Sequence, residues 1–236
     1  MRVPAIDLDF EVLAGDAIIG PAIAQGSWAD HETALFQAHL APGARVLDLG
    51  ANVGWFGVHA LLAGCEVHAF EPVPEIAAVC ERNLARAAER GRGSFTLHRV
   101  AAGQVRGTAR IALASSNFGD NRVLDAGNAR PNDMGSGREI EIELAPVDEL
   151  VEGPVRFVKI DTQGSEWLAL QGMQRVLDAS PQLGLLLELW PYALRGATAE
   201  QLLRWLDARG FTLGKATAAP YPMRPERVLR QVASRD

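Results

Sequence analysis

Apolar residues recur along this chain in short blocks of two spacings, and the two spacings alternate. Residues 44–49, 66–70, 155–160 and 183–189 are mostly apolar runs of strand length, the last of them almost wholly apolar, as a central parallel strand is, and residues 94–100 read as a further strand. Residues 55–63 form an apolar run long enough for a helix. After Pro74, the residues Ile76, Val79, Cys80, Asn83, Leu84 and Ala87 follow at spacings of three and four until Gly91, which reads as an amphipathic helix. Leu168, Leu170, Met173 and Leu177 mark the inward face of a helix starting at Ser165. Thr198-Ala-Glu-Gln201 is a capping box for another, with Leu202, Leu203 and Leu206 inward and Gly210 as its stop. Strand and helix in turn predict a doubly wound, mostly parallel α/β sheet with helices on both faces, which binds its ligand at the C-terminal strand edges.

Some stretches depart from that rhythm. Residues 1–27 break short apolar runs with glycine and aspartate, which predicts one or two short strands outside the main sheet. Residues 34–40 follow as a helix with Leu35, Phe36 and Leu40 on one face. Residues 108–113 and 139–144 alternate strictly, with Ile140, Ile142 and Leu144 on one side and three glutamates on the other. Between them residues 115–137 are irregular and rich in Asn, Gly, Asp and Ser, a length uncommon in a compact domain unless it carries function. Residues 211–216 and 227–232 are expected to pair as a closing hairpin, with the proline-rich loop 218–226 at the rim of the pocket.

Composition narrows the class of protein. A chain of 236 residues with 48% hydrophobic content suits one large α/β domain. The formal net charge of −6 disfavours nucleic acid, whose phosphates reward a basic face. No apolar run reaches membrane-spanning length and the N-terminus lacks the apolar core of a signal peptide, so a cytoplasmic protein without membrane contact is expected. Cys65 and Cys80 are the only cysteines and read as reduced packing residues. No Cys-x-x-Cys or Cys/His cluster offers a metal site, and none is expected.

The chemistry gathers at strand ends. Gly50 and Gly54 turn the chain from the first buried strand into the first long apolar helix, where a ligand meets bare backbone and free N–H groups. Dinucleotide sites place a glycine at the middle of such a turn so that a pyrophosphate can touch the main chain. Here that position holds Asn52, which suits a ligand without pyrophosphate, such as a nucleoside with an amino-acid tail. Glu71 stands at the tip of the second strand of the unit, where an acid accepts hydrogen bonds from both ribose hydroxyls. Ala101, Asp161 and Glu188 fall on the same edge from three further strands. An alcohol acceptor at such a site needs a base, and Asp161, Glu188 and His31 are the candidates, in that order.

These residues also carry a resemblance. Asp48-Leu-Gly-Ala-Asn-Val-Gly54 with Phe70-Glu71-Pro72 resembles the seven-stranded S-adenosylmethionine-dependent methyltransferases, in particular the FkbM-type family. Lys159-Ile-Asp161-Thr-Gln-Gly164-Ser-Glu166 is similar to that family's Lys-Ile-Asp-Val-Glu-Gly-x-Glu motif, departing at Thr162 and Gln163. The resemblance spans roughly residues 28–189 and implies a seven-stranded Rossmann-like sheet with S-adenosyl-L-methionine as cofactor and S-adenosyl-L-homocysteine as product. It implies a domain at 41–236 preceded by a cofactor-covering segment at 1–40, in which Glu32 faces the amino-acid end of the cofactor. Asp48, Gly50, Asn52, Gly54, Glu71, Pro72, Ala101 and Asp161 are then the remaining cofactor residues. Asn117, Asn121, Arg122 and Trp190 are expected to face the acceptor, a sugar or secondary metabolite methylated on oxygen. N-methylation, a nicotinamide oxidoreductase and a non-catalytic nucleoside-binding module are the alternatives. A homodimer is left open.

Overall fold

Five parallel strands, each bracketed by glycine or proline turns, form the frame on which every candidate residue is mounted. In the computed structural model, which describes residues 1–26, 28–124, 137–217 and 219–233, the strands are β1 (Arg2–Val3), β2 (Leu8–Asp9), β3 (Arg45–Leu49), β4 (Glu66–Phe70), β5 (Ser94–His98), β6 (Ala101–Ala102), β7 (Gly107–Ala112), β8 (Arg122–Val123), β9 (Glu139–Ala145), β10 (Phe157–Ile160) and β11 (Gly184–Leu187). The helices are α1 (Ile19–Gln25), α2 (Asp30–Gln37), α3 (Trp55–Leu62), α4 (Pro74–Arg90), α5 (Glu166–Gln171), α6 (Gln174–Ala179), α7 (Ala199–Ala208) and α8 (Pro225–Ala233).

The main sheet runs β11-β10-β3-β4-β5, parallel throughout. Because side chains alternate across a strand, β3 feeds both faces. Val46 joins Val67, Ala69 and Phe157 against α2, α3 and α4, while Leu47 and Leu49 join Phe70, Val158 and Ile160 against α5, α6 and α7. Each face thus carries its own buried core. A third apolar cluster, including Val73, Ile76, Ile111, Leu113 and Ile142, joins the start of α4 to a second sheet of order β6-β9-β7-β8.

Four expectations are corrected. Among the described residues the parallel sheet has five strands, not seven. The two alternating segments pair with each other as β7 and β9, within a separate sheet and not in the parallel one. The closing hairpin is reduced to a single bridge between Leu213 and Met223, because residues 227–232 belong to α8. Val228, Leu229 and Val232 fit a helical spacing, and Pro225 suits a first helical turn. With no strand beyond it among the described residues, β11 lies at the sheet edge and is only half-buried, not central.

The helix expected from Ser165 is two helices, broken at Gly172. There the backbone presses against β6's loop so closely that an added Cβ would stand 1.9 Å from the Gly103 carbonyl oxygen. The N-terminal strands pair with each other outside the main sheet, as expected. Residues 125–136 of the irregular stretch and residue 218 of the proline-rich loop lie outside the described residues. No helix among the described residues is long and apolar enough to cross a membrane.

Candidate active site

Parallel strands end together, so β3, β4, β10 and β11 deliver Gly50, Glu71, Asp161 and Glu188 to one edge. There they border a cavity of about 610 Å³, well inside the range of roughly 300–1,000 Å³ typical of small-molecule sites. Ala101 also lines it, but from β6 of the second sheet. Glu32, Asn52, Pro72, Asn117, Asn121, Arg122 and Trp190 complete the expected residues found on its wall.

Three candidates stand elsewhere. Asp48 is fully buried beneath the turn, and Gly54 packs on α4, where an added Cβ would meet Cys80 Sγ at 3.1 Å. His31 is exposed on α2 and does not line the cavity.

The glycine turn is shaped by backbone contact. Gly50 has φ +81°, and a Cβ there would fall 1.9 Å from the Asp161 carbonyl oxygen, so only glycine lets β3 and β10 close together at their tips. Asn52 takes φ +50°, a conformation asparagine tolerates better than most residues. Its N–H donates to Glu71 Oε2 at 3.0 Å, and Val73 N–H donates to Glu71 Oε1 at 3.0 Å. Burial drives the Glu71 carboxyl up to about 7 against the pull of these two bonds. Each carboxylate oxygen accepts two hydrogen bonds, so one position on each is left for a ligand.

Beneath the turn lies Lys159, which is only 6% exposed. Its Nζ donates to the Gly50 carbonyl at 2.8 Å and sits 3.3 Å from Asp161 Oδ2 and 3.6 Å from Asp48 Oδ1. Burial opposes its charge, but the carboxylates of Asp161 and Asp48 outweigh burial and hold the amine above its ordinary value. Burial raises the Asp48 carboxyl, with Lys159 opposing.

Asp161 and Glu188 face each other across the ends of β10 and β11, and Gln163 Nε2 donates to both, at 2.7 Å and 2.5 Å. Burial and then the charge of Asp161 push Glu188 up to about 9. Burial would raise Asp161 as well, but Lys159 and the hydrogen bonds from Glu188 and Gln163 hold it below its ordinary value. The pair therefore carries one proton at neutral pH, on Glu188.

The opposite wall is a loop stitched by its own side chains. Asn121 Nδ2 and Asn52 Nδ2 both donate to the Phe118 carbonyl at 3.0 Å, and Asn121 Oδ1 accepts from Ala114 N–H at 2.9 Å. Arg122 is buried, pairs with Asp120 at 2.6 Å and lies 5.8 Å from the Tyr192 ring centroid. Ile18 (49% exposed) and Tyr192 (52% exposed) leave apolar surface at the mouth.

Trp28, Tyr192, Lys159, Gln163 and Asp120 were not among the candidates read from sequence. Two of them carried a signal. Lys159 is a charged residue inside an apolar strand, and Tyr192 follows Trp190 at the C-terminal edge of another.

An α/β fold with a glycine turn, an acid at the next strand tip and a carboxyl pair at one sheet edge has the layout of a nucleoside-type binding site. The methyltransferase FkbM domain profile matches residues 48–213, and the chain belongs to that family. A methyltransferase domain of that family implies S-adenosyl-L-methionine as its cofactor.

Among curated proteins none matches the chain. Among solved structures it is similar to a TehB-like SAM-dependent methyltransferase from Corynebacterium glutamicum, at 14% identity over 82% of this chain and 79% of the other, with a TM-score of 0.44. A candidate rRNA-methylase from Clostridium thermocellum aligns at 11% identity over 64% of this chain and 62% of the other, under two thirds of that protein's length, with a TM-score of 0.38. A SAM-dependent methyltransferase from Thiobacillus denitrificans in complex with S-adenosyl-L-homocysteine aligns at 26% identity over 33% and 32% of the two chains, with a TM-score of 0.27.

The residues present fit the cofactor. Among the described residues Glu32, Glu71, Asp120, Asp161 and Glu188 line the cavity against only Arg122 and Lys159, an acid surplus that suits a ligand bearing a sulfonium and an ammonium. The free acceptor positions on Glu71 suit a ribose diol.

Proposed function

We propose that the protein transfers the methyl group of S-adenosylmethionine to a hydroxyl of a small molecule, a sugar or secondary metabolite. The observation that carries this reading is the Asp161–Glu188 pair, which stands on the wall of the same cavity as the glycine turn and holds one carboxyl ionised beside one protonated. Bound cofactor supplies an electrophilic methyl whose departing sulfur keeps the C–S electron pair.

The chain does the rest. Gly50 and Asn52 support the amino-acid end, Glu71 accepts from the ribose hydroxyls, and Pro72 and Ala101 wall the base. Glu32, on the segment 1–40 that covers the site, meets the cofactor's ammonium. Asn117, Asn121, Arg122 and Trp190 hold the acceptor so that its hydroxyl meets the methyl carbon, and such positioning with exclusion of water is worth ~7–11 kcal/mol. Asp161 takes the hydroxyl proton, a further rate gain of about 10²–10⁴-fold.

The test is incubation with methyl-labelled S-adenosylmethionine and a panel of small molecules bearing hydroxyls, amines or both. Label found on oxygen supports the reading. Label found only on nitrogen or carbon overturns it.

A further inference from the structure

Gln163 occupies a backbone conformation that its residue type does not favour. Its φ is +51° and that of Gly164 is +103°, both in the left-handed region. The surroundings clamp the turn in that shape. Glu166 Oε1 accepts from the N–H groups of Thr162 and Gly164 at 3.0 Å each, and Arg195 N–H donates to the Gly164 carbonyl at 2.8 Å. An added Cβ on Gly164 would stand 2.2 Å from the Ala193 carbonyl oxygen, so the following segment lies flush against the turn.

What the clamped turn delivers is one amide between two carboxyls. Nε2 donates to Asp161 Oδ1 at 2.7 Å and to Glu188 Oε2 at 2.5 Å, which uses both of its N–H groups. No carboxylate at this position has a proton to give. A hydrocarbon there has none either, and the two acids would then face each other without a shared donor.

We propose that Gln163 is a positioning residue that binds Asp161 and Glu188 into one proton-sharing pair, which receives the proton leaving the acceptor. This rests on the reading of Asp161 as the acceptor's base. In the balanced step a lone pair on the acceptor oxygen forms the O–CH₃ bond and the C–S bond breaks with its electrons going to sulfur. The hydroxyl proton goes to the Asp161 carboxylate, so the pair that began with one proton ends with two.

The titratable groups around Asp161 are Lys159 on β10 at 3.3 Å, Asp48 on β3, Glu166 on α5 and Glu188 just past β11. Gln163 is the amide donor among them. Its loss makes Asp161 harder to ionise, both directly and through the loosened contact with Glu188.

The experiment compares Gln163→Met, which removes both N–H groups at similar length, with Gln163→Glu, which keeps the shape and puts a charge where the donors were. Carboxyl ¹³C titration of the acceptor-free protein, with and without S-adenosylhomocysteine, follows Asp161, whose signal is assigned by its loss in Asp161→Asn. The pH dependence of kcat is measured alongside. Both variants are expected to move Asp161's titration upward, by about one pH unit in Gln163→Met, and to carry the acid limb of the kcat profile with it.

An unchanged Asp161 titration in both variants overturns the proposal, whatever happens to the rate. A moved titration in a protein that methylates no hydroxyl upholds the pairing and overturns the O-methylation reading. Should Gln163→Met fold poorly, Gln163→Glu decides by the same criterion.

Discussion

The side-chain amide of Asn52 donates to the carbonyl of Phe118 at 3.0 Å, while its oxygen accepts from the N–H of Val53 at 2.8 Å. One residue thereby fixes the glycine turn and ties it to the 117–122 loop on the opposite wall of the cavity. Asn52→Gly cuts the tie but suits φ +50°, whereas Asn52→Ala cuts it and adds ~1–2 kcal/mol of backbone strain. Both variants are expected to speed amide hydrogen exchange at residues 118–121 by about tenfold, and only Asn52→Ala to lower the melting temperature. Wild-type exchange in both would show that the loop is held by its own bonds, those of Asn117 and Asn121, and not by the turn.

Glu71 gives a pH-dependent affinity. Burial holds its carboxyl at about 7, so it is largely protonated at pH 6 and largely ionised at pH 8. The ionised form accepts from both ribose hydroxyls, so affinity for S-adenosylhomocysteine is expected to rise across that interval. Glu71→Ala removes two acceptors, each worth ~0.5–1.5 kcal/mol, and is expected to weaken binding by about tenfold or more and to flatten the pH dependence. Calorimetry at pH 6, 7 and 8 checks both; unchanged affinity in the variant removes Glu71 from the ribose.

Much of this site was legible because parallel strands are buried on both faces and end together. The runs around Val46, Val67 and Val158 announce themselves as strands. Once they are parallel, Gly50, Glu71, Asp161 and Glu188 must share an edge. What was not legible depends on partners far apart in sequence. The alternation of Ile140, Ile142 and Leu144 marks a strand but does not say that β9 pairs with β7 in a second sheet. Val228, Leu229 and Val232 fit a short strand or a helix equally until packing decides. The departure at Thr162 and Gln163 reads from sequence as the loss of an acid. Only the folded turn, by setting Gln163 Nε2 within reach of both Asp161 and Glu188, turns it into the gain of a donor shared by two carboxyls.

Glu188 makes a prediction about stability. Burial and the charge of Asp161 raise its carboxyl from an ordinary 4.5 to about 9. A carboxyl raised on folding stabilises the protein fully below its unfolded value, and that contribution is lost as pH climbs through the folded value. The ligand-free protein should therefore lose stability between pH 5 and 9, at up to ~1.4 kcal/mol per pH unit from this group. Glu188→Gln imitates the protonated acid and cannot ionise. Denaturant melts at pH 7 and 9 are expected to differ less in the variant than in the wild type, and equal slopes would place the proton elsewhere.

Asp161 is the residue on which the proposed chemistry turns, and its structural rival has a specific form. An acid at this position, before Ser165, also suits the capping of the helix that follows. In the structure the N-cap position is Ser165 and no side chain caps α5; Glu166 Oε1 takes the N–H groups of Thr162 and Gly164 in the preceding turn, while Asp161 points to Lys159 and Gln163. Asp161→Asn thus costs no cap. It removes one charge partner of Lys159, which keeps Asp48 at 3.6 Å and the Gly50 carbonyl at 2.8 Å, so the loss is ~1–3 kcal/mol, or about 2–10 °C of melting temperature. The expected outcome is a modest drop in melting temperature, S-adenosylhomocysteine affinity within about threefold of wild type, and kcat lower by about 10²-fold or more. If kcat instead stays within a few-fold in Asp161→Asn and in its double variant with Glu188→Gln, neither carboxyl is the base, and His31 lies exposed away from the cavity. Methyl transfer would then proceed by positioning alone, with the proton passing directly to water.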